Sequence, residues 1–125
     1  MKNYQELALK TDHKSYDHVA ERFTPSMSRL THAALGLSTE ANEFSDALKK
    51  HLIYGKDLDK TNLIEELGDL CWFIAMACDE LGTSFEEIQQ ININKLKARY
   101  GDRYTDEKAL NRDLENERKI LEVKL

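Results

Sequence analysis

One proline and five glycines are the whole supply of dedicated turn formers in this chain of 125 residues. That scarcity limits the fold more than any other feature. A many-stranded sheet needs a turn every few residues, whereas a few long helices need only a handful. Pro25 suits the first turn of a helix and breaks one arriving from the N-terminal side. The pattern therefore predicts a first helix over about 3–22, with Tyr4, Leu7, Ala8, Tyr16 and Val19 as a loose apolar stripe ended by "FTPS". A second helix runs from about Pro25 to Leu52, with Gly36 inside it at a cost in helix propensity that a close approach could justify. Asp59 or Thr61 caps a third, which continues to about Leu81 and stops at Gly82. Ser84 and Glu87 have the spacing of a capping box for a fourth, ending near Arg99.

The remaining segment, "ALNRDLENERKILEVKL", carries Leu110, Leu114 and Leu121 in a thin stripe among charges, as in a helix laid across a neighbour. No segment reads as a strand. The expectation is an all-α, four-helix-bundle-like fold in one domain over 1–125, with a core at about 25–105 and a helical tail at 106–125. The third helix is apolar nearly all round between Leu70 and Cys78, and such a helix is normally buried on every side. A second copy of the chain is the expected source of that cover, in a homodimer or homotetramer.

Charge and cysteine usage exclude several classes. A net charge of −5 argues against a nucleic-acid surface, which needs clustered Lys and Arg. A small phosphorylated ligand remains open, because a bound metal can neutralise it. The N-terminus lacks the apolar core of a signal peptide, and "LCWFIAMAC" is roughly half the length of a membrane span. Cys71 and Cys78 would lie about 10 Å apart on one helix, beyond disulfide reach. Both are expected as buried thiols, in keeping with a cytoplasmic location.

Chemistry concentrates in four carboxylates. Glu40 and Glu43 stand three apart in "STEANEFSDALKKH", and Glu66 and Asp69 three apart in "NLIEELGDLCWF". Residues at that spacing project together from a helix, so each pair makes a two-carboxylate claw. One such pair fits an ordinary solvated face equally well. Two claws on consecutive helices, each beside apolar residues, can meet at one level of an antiparallel hairpin. Carboxylates that crowded must take up protons or share cations, and all-oxygen ligation suits Mg²⁺ or Mn²⁺. A ferritin-like di-iron site needs Glu-x-x-His, and none of His13, His18, His32 or His51 follows a Glu by three. Clustered zinc ligands are absent, and "YGKDLDKT" lacks the upstream glycine and following hydroxyl of a phosphate loop. A non-catalytic helical interaction module with an acidic docking face is the reading from another class.

The motifs resemble those of the MazG-like, all-α nucleoside triphosphate pyrophosphohydrolases, whose signature is ExxE, a spacer, then ExxD. Here it reads "EANE" at 40–43, 22 intervening residues and "ELGD" at 66–69. "HAALGLSTEANEFSDALKKH", "LIEELGDLCWFIA", "LGTSFEEI" and "NINKLKARYGDRYT" are similar to successive blocks of that family, a resemblance covering roughly 28–105. It departs at Thr39, where many members carry a second acidic residue; Thr39 is expected to point away from Glu43.

The resemblance implies Mg²⁺-dependent hydrolysis of (deoxy)nucleoside triphosphates between the α and β phosphates. The products would be a nucleoside monophosphate and pyrophosphate, in nucleotide pool sanitation or in dNTP redirection by a phage. Glu40, Glu43, Glu66 and Asp69 match the metal-binding positions, and Glu40 or Glu43 would activate water. Lys95, Arg99 and Asn92 would contact phosphates, Phe73 or Trp72 the base, and His32 the sugar or base. Glu65 reads as a helix-surface charge.

Overall fold

The computed structural model describes residues 3–122. Helix α3 (Pro25–Leu52) begins with Pro25 in its first turn, and the Thr24 hydroxyl accepts the Met27 N–H at 3.2 Å. Lys49, Lys50 and His51 close it, where cations complement the helix dipole. Helix α4 (Lys60–Leu81) is capped by Asp59, not Thr61, whose carboxylate accepts the Asn62 N–H at 3.1 Å. It ends on Gly82 at φ +67°, a left-handed conformation that glycine adopts without penalty. Helix α5 (Phe85–Tyr100) starts with the Ser84–Glu87 capping box in both directions. These boundaries lie within a residue or two of those expected.

The N-terminal segment differs. In place of one helix over 3–22 there are α1 (Tyr4–Ala8), a 3₁₀ turn (Leu9–Thr11) and α2 (Asp17–Arg22). Polar side chains compete with the helical ladder between them. Asp12 accepts from the His13 N–H and the Tyr16 hydroxyl, and Ser15 bonds both the carboxylate and the N–H of Asp17. With no continuous helix the apolar stripe loses its purpose, and Tyr4, Leu7, Tyr16 and Val19 are exposed. The tail forms α6 (Asp106–Leu110) and α7 (Leu114–Glu122), the latter packed on α5. Residues 123–125 lie outside those described.

The architecture is all-α among the described residues, and α3 and α4 make its dominant packing as an antiparallel hairpin. Its register is legible in named pairs. Arg29 reaches Asp79 at 2.5 Å and Glu80 at 3.2 Å at one end, and the Phe73 ring covers Gly36 nearer the middle. On α4 Asn62, Glu66, Phe73 and Glu80 recur at helical intervals and form the stripe facing α3. Helices α5, α6 and α7 pack among themselves, and α5 touches the hairpin only lightly.

A single chain therefore covers little. Among the described residues Ala33 and Cys78 are the buried hydrophobic ones, while Leu35, Ile64, Leu67 and Trp72 stand out on the hairpin. Cys71 is exposed, against the expectation of two buried thiols. Seven residues put both thiols on nearly the same stripe of α4, so their environments are set by what lies alongside each level. No described helix is long and apolar enough to cross a membrane.

Candidate metal centre

Glu66 sits on the α4 stripe that faces α3 and is only 5 % exposed. A carboxylate so enclosed needs partners, since burying a lone charge is costly. Its donor is the Asn62 side-chain amide, which reaches Oε1 from one turn earlier, and Glu40 brings a second carboxylate close to it across the hairpin. Glu43 joins from the next turn of α3, so that oxygens of Glu40, Glu43 and Glu66 all lie within 4.8 Å of one another. Glu40 is half-buried, Glu43 exposed and Glu66 buried.

The electrostatics follow. Burial pushes the Glu40 carboxyl above its ordinary value, and the charges of Glu43, Asp69 and Glu66 push it further. Asp69 thus acts on Glu40 through space, although the tight cluster itself is Glu40, Glu43 and Glu66. A concentration of hard oxygen donors, partly shielded from water and mutually repelling, fits a small divalent cation.

A cavity of about 470 Å³ opens beside the cluster. From α3 it is lined by Thr39, Asn42, Glu43, Asp46 and Lys50, and from α4 by Asn62 and Glu66. Thr39 therefore faces the same space as Glu43, against the expectation that it points away, while its hydroxyl donates back to the Leu35 carbonyl at 3.0 Å. Asn42, Asp46, Lys50 and Asn62 were not singled out by their spacing. A signal existed for two of them: Asp46 extends the Glu40, Glu43 row by one more step of three, and Asn62 precedes Glu66 by four. Lys49 at 2.5 Å and Lys50 at 2.8 Å hold the Asp46 carboxyl down at about 2.

The aromatic candidates gather one turn away. The Phe73 ring lies edge-on to His32 at 5.8 Å and to Trp72 at 4.8 Å. His32 and Trp72 are exposed and Phe73 is half-buried. Asn92, Lys95 and Arg99 on α5 line neither the cluster nor the cavity within one chain.

Arg99 is held elsewhere. Its Nε meets Glu117 Oε1 at 2.7 Å and a terminal nitrogen meets Oε2 at 2.5 Å, while Arg112 reaches the same carboxylate at 2.7 Å. Glu117 is 4 % exposed, so one enclosed anion is clamped by two guanidinium groups and ties α7 to α5. Arg99 first and Arg112 second draw its pKa from 4.5 to about 2. The stability this contributes is fully present above pH 4.5 and is lost as pH falls towards about 2. Urea melts between pH 7 and pH 2 are expected to show Glu117→Gln less stable than wild type at neutral pH, the gap closing through that acid window. A constant gap would mean the clamp contributes nothing to stability.

The family model for the MazG nucleotide pyrophosphohydrolase domain matches residues 29–104. The Gene 37 protein of Mycobacterium phage L5 is 32 % identical over 79 residues, covering 59 % of this chain and 68 % of that protein. No solved structure matches the chain.

Proposed function

Because the chain belongs to the MazG nucleotide pyrophosphohydrolase family, we propose that it hydrolyses (deoxy)nucleoside triphosphates between the α and β phosphates. The products are a nucleoside monophosphate and pyrophosphate. The observation that carries the site assignment is the convergence of Glu40, Glu43 and Glu66 oxygens within 4.8 Å. With Asp69 beside them, these residues would hold Mg²⁺, or Mn²⁺ in its place. When bound there, such an ion would supply charge neutralisation at the phosphates and would make the attacking water more acidic. Glu40 or Glu43, at the half-buried and exposed edges of the cluster, accepts the proton of the attacking water.

Around that centre, Phe73 and Trp72 offer aromatic faces to a base, and exposed His32 offers a ring nitrogen to the sugar or base. Lys95 is the better phosphate contact on α5 because Glu117 already engages Arg99, with Asn92 one turn before it. The reading places the enzyme in the cytoplasm, in pool sanitation or in phage dNTP redirection; the phage relative favours the second setting. A homodimer or homotetramer is the working assembly, supported by how much apolar surface the hairpin leaves uncovered and by how lightly α5 rests on it. Such an assembly is the route by which α5 of one copy would reach the carboxylates of another.

Purified protein supplied with each dNTP and Mg²⁺ is expected to release pyrophosphate, not orthophosphate, while light scattering reports a dimer or tetramer. Orthophosphate as the product would overturn the bond assignment. Lack of turnover on every nucleotide would favour a docking module.

A further inference from the structure

The geometry points to a residue outside the two acidic motifs: we propose that Asn62 is a positioning residue that orients Glu66 for metal binding. The inference rests on reading the carboxylate cluster as a metal centre. Asn62 occupies the third position of α4, where the Asp59 cap takes its backbone N–H at 3.1 Å and pins the first helical turn. Its half-buried side chain then reaches one turn along and donates to Glu66 Oε1. Glu66 is the most enclosed carboxylate of the three, so it has the least water to orient it and depends most on a protein donor.

A neutral amide suits that task in two ways. It satisfies one oxygen of the carboxylate, leaving the remaining lone pairs to a cation, and a ligand held in this way binds metal more tightly. It also leaves the negative charge of Glu66 intact, which a lysine or arginine at the same place would offset. Asn62 lines the cavity together with Glu43 and Glu66, so the hydrogen bond lies at the wall of the site and not behind it.

Calorimetric titration of the full chain with Mn²⁺, without nucleotide, tests the role. Asn62→Ala is expected to weaken binding about 10- to 100-fold, and a urea melt in EDTA, where losing the donor to an enclosed carboxylate lowers stability, checks that the variant is folded under the conditions of the titration. Asn62→Asp is expected to bind more weakly still, because a donor becomes an acceptor and a like charge faces Glu66. In turnover, the Asn62→Ala deficit should appear as a raised Mg²⁺ requirement, with kcat largely regained at saturating metal, a rescue that a merely structural defect would not show. Wild-type affinity in Asn62→Ala would overturn the proposal. So would tighter binding in Asn62→Asp, which would make the position a ligand in its own right. A wild-type chain that binds no Mn²⁺ would bring down the metal-centre reading together with this one, whereas a wild-type chain that binds Mn²⁺ no more tightly than Asn62→Ala condemns the positioning role alone.

Discussion

Glu43→Ala and Glu66→Gln are each expected to lower pyrophosphate release at least about a thousandfold, the equivalent of roughly 4 kcal/mol of transition-state stabilisation. The two changes attack the cluster differently. Glu43 is the exposed member, so its removal deletes an oxygen donor with little consequence for packing. Glu66 is enclosed and hydrogen-bonded, and its amide substitute keeps the shape while withdrawing the charge. Because Glu40, Glu43 and Glu66 crowd one another, neutralising one relieves repulsion that the metal-free fold must bear. Glu66→Gln should therefore melt at or above the wild-type temperature in EDTA while being inactive in Mg²⁺, a trade of stability against function. EDTA should silence the wild type and change nothing further in either variant. Activity within tenfold of wild type in both would remove the carboxylates from the mechanism.

Gly36→Ala is expected to destabilise the hairpin by about 1–3 kcal/mol. On an isolated helix the same change should stabilise, by about 1 kcal/mol, since glycine is a poor helix former. Here the sign reverses because a methyl group at Gly36 would occupy the space of the Phe73 ring. Something must give, either the ring or the spacing of α3 and α4. The effect reaches the site, because Glu40 lies one turn after Gly36 and Asp69 one turn before Phe73. Divalent-metal affinity should thus fall along with the melting temperature. Shrinking the ring by Phe73→Leu should recover part of the Gly36→Ala loss, a coupling that two independent sites would not display. If Gly36→Ala raised the melting temperature instead, the ring would be free to turn aside and the close approach would have no structural consequence.

Local signals were the legible ones. Pro25, Asp59, Gly82 and the Ser84–Glu87 box each act through hydrogen bonds or backbone angles within a few residues of themselves, and they delimit α3, α4 and α5 where the structure has them. The N-terminal segment departs from the helix its apolar spacing predicts because Asp12 and Ser15 side chains compete for the backbone there. The paired spacing signalled the carboxylate cluster of Glu40, Glu43 and Glu66, since helical periodicity makes the members of each pair project together, while Asp69 falls outside that cluster. The immediate surroundings of the cluster were not legible in the same way. Asn62 and Asp46 carry no unusual residue type, and what distinguishes them is the cavity they share with Glu43 and Glu66.

Arg99 shows the same limit from the other side. The family resemblance implied a phosphate contact for it, and within one chain a carboxylate 18 residues later, on a different helix, engages it. By itself the sequence determined α3, α4 and α5, their ends, the two acidic pairs and the family, because each of these is written in short-range spacing and residue type. The tertiary structure alone decided the register of α3 against α4, the enclosure of Glu66, the approach of Phe73 to Gly36 and the capture of Arg99. Those depend on contacts between residues far apart in the chain, whose energies come from packing and shared charge.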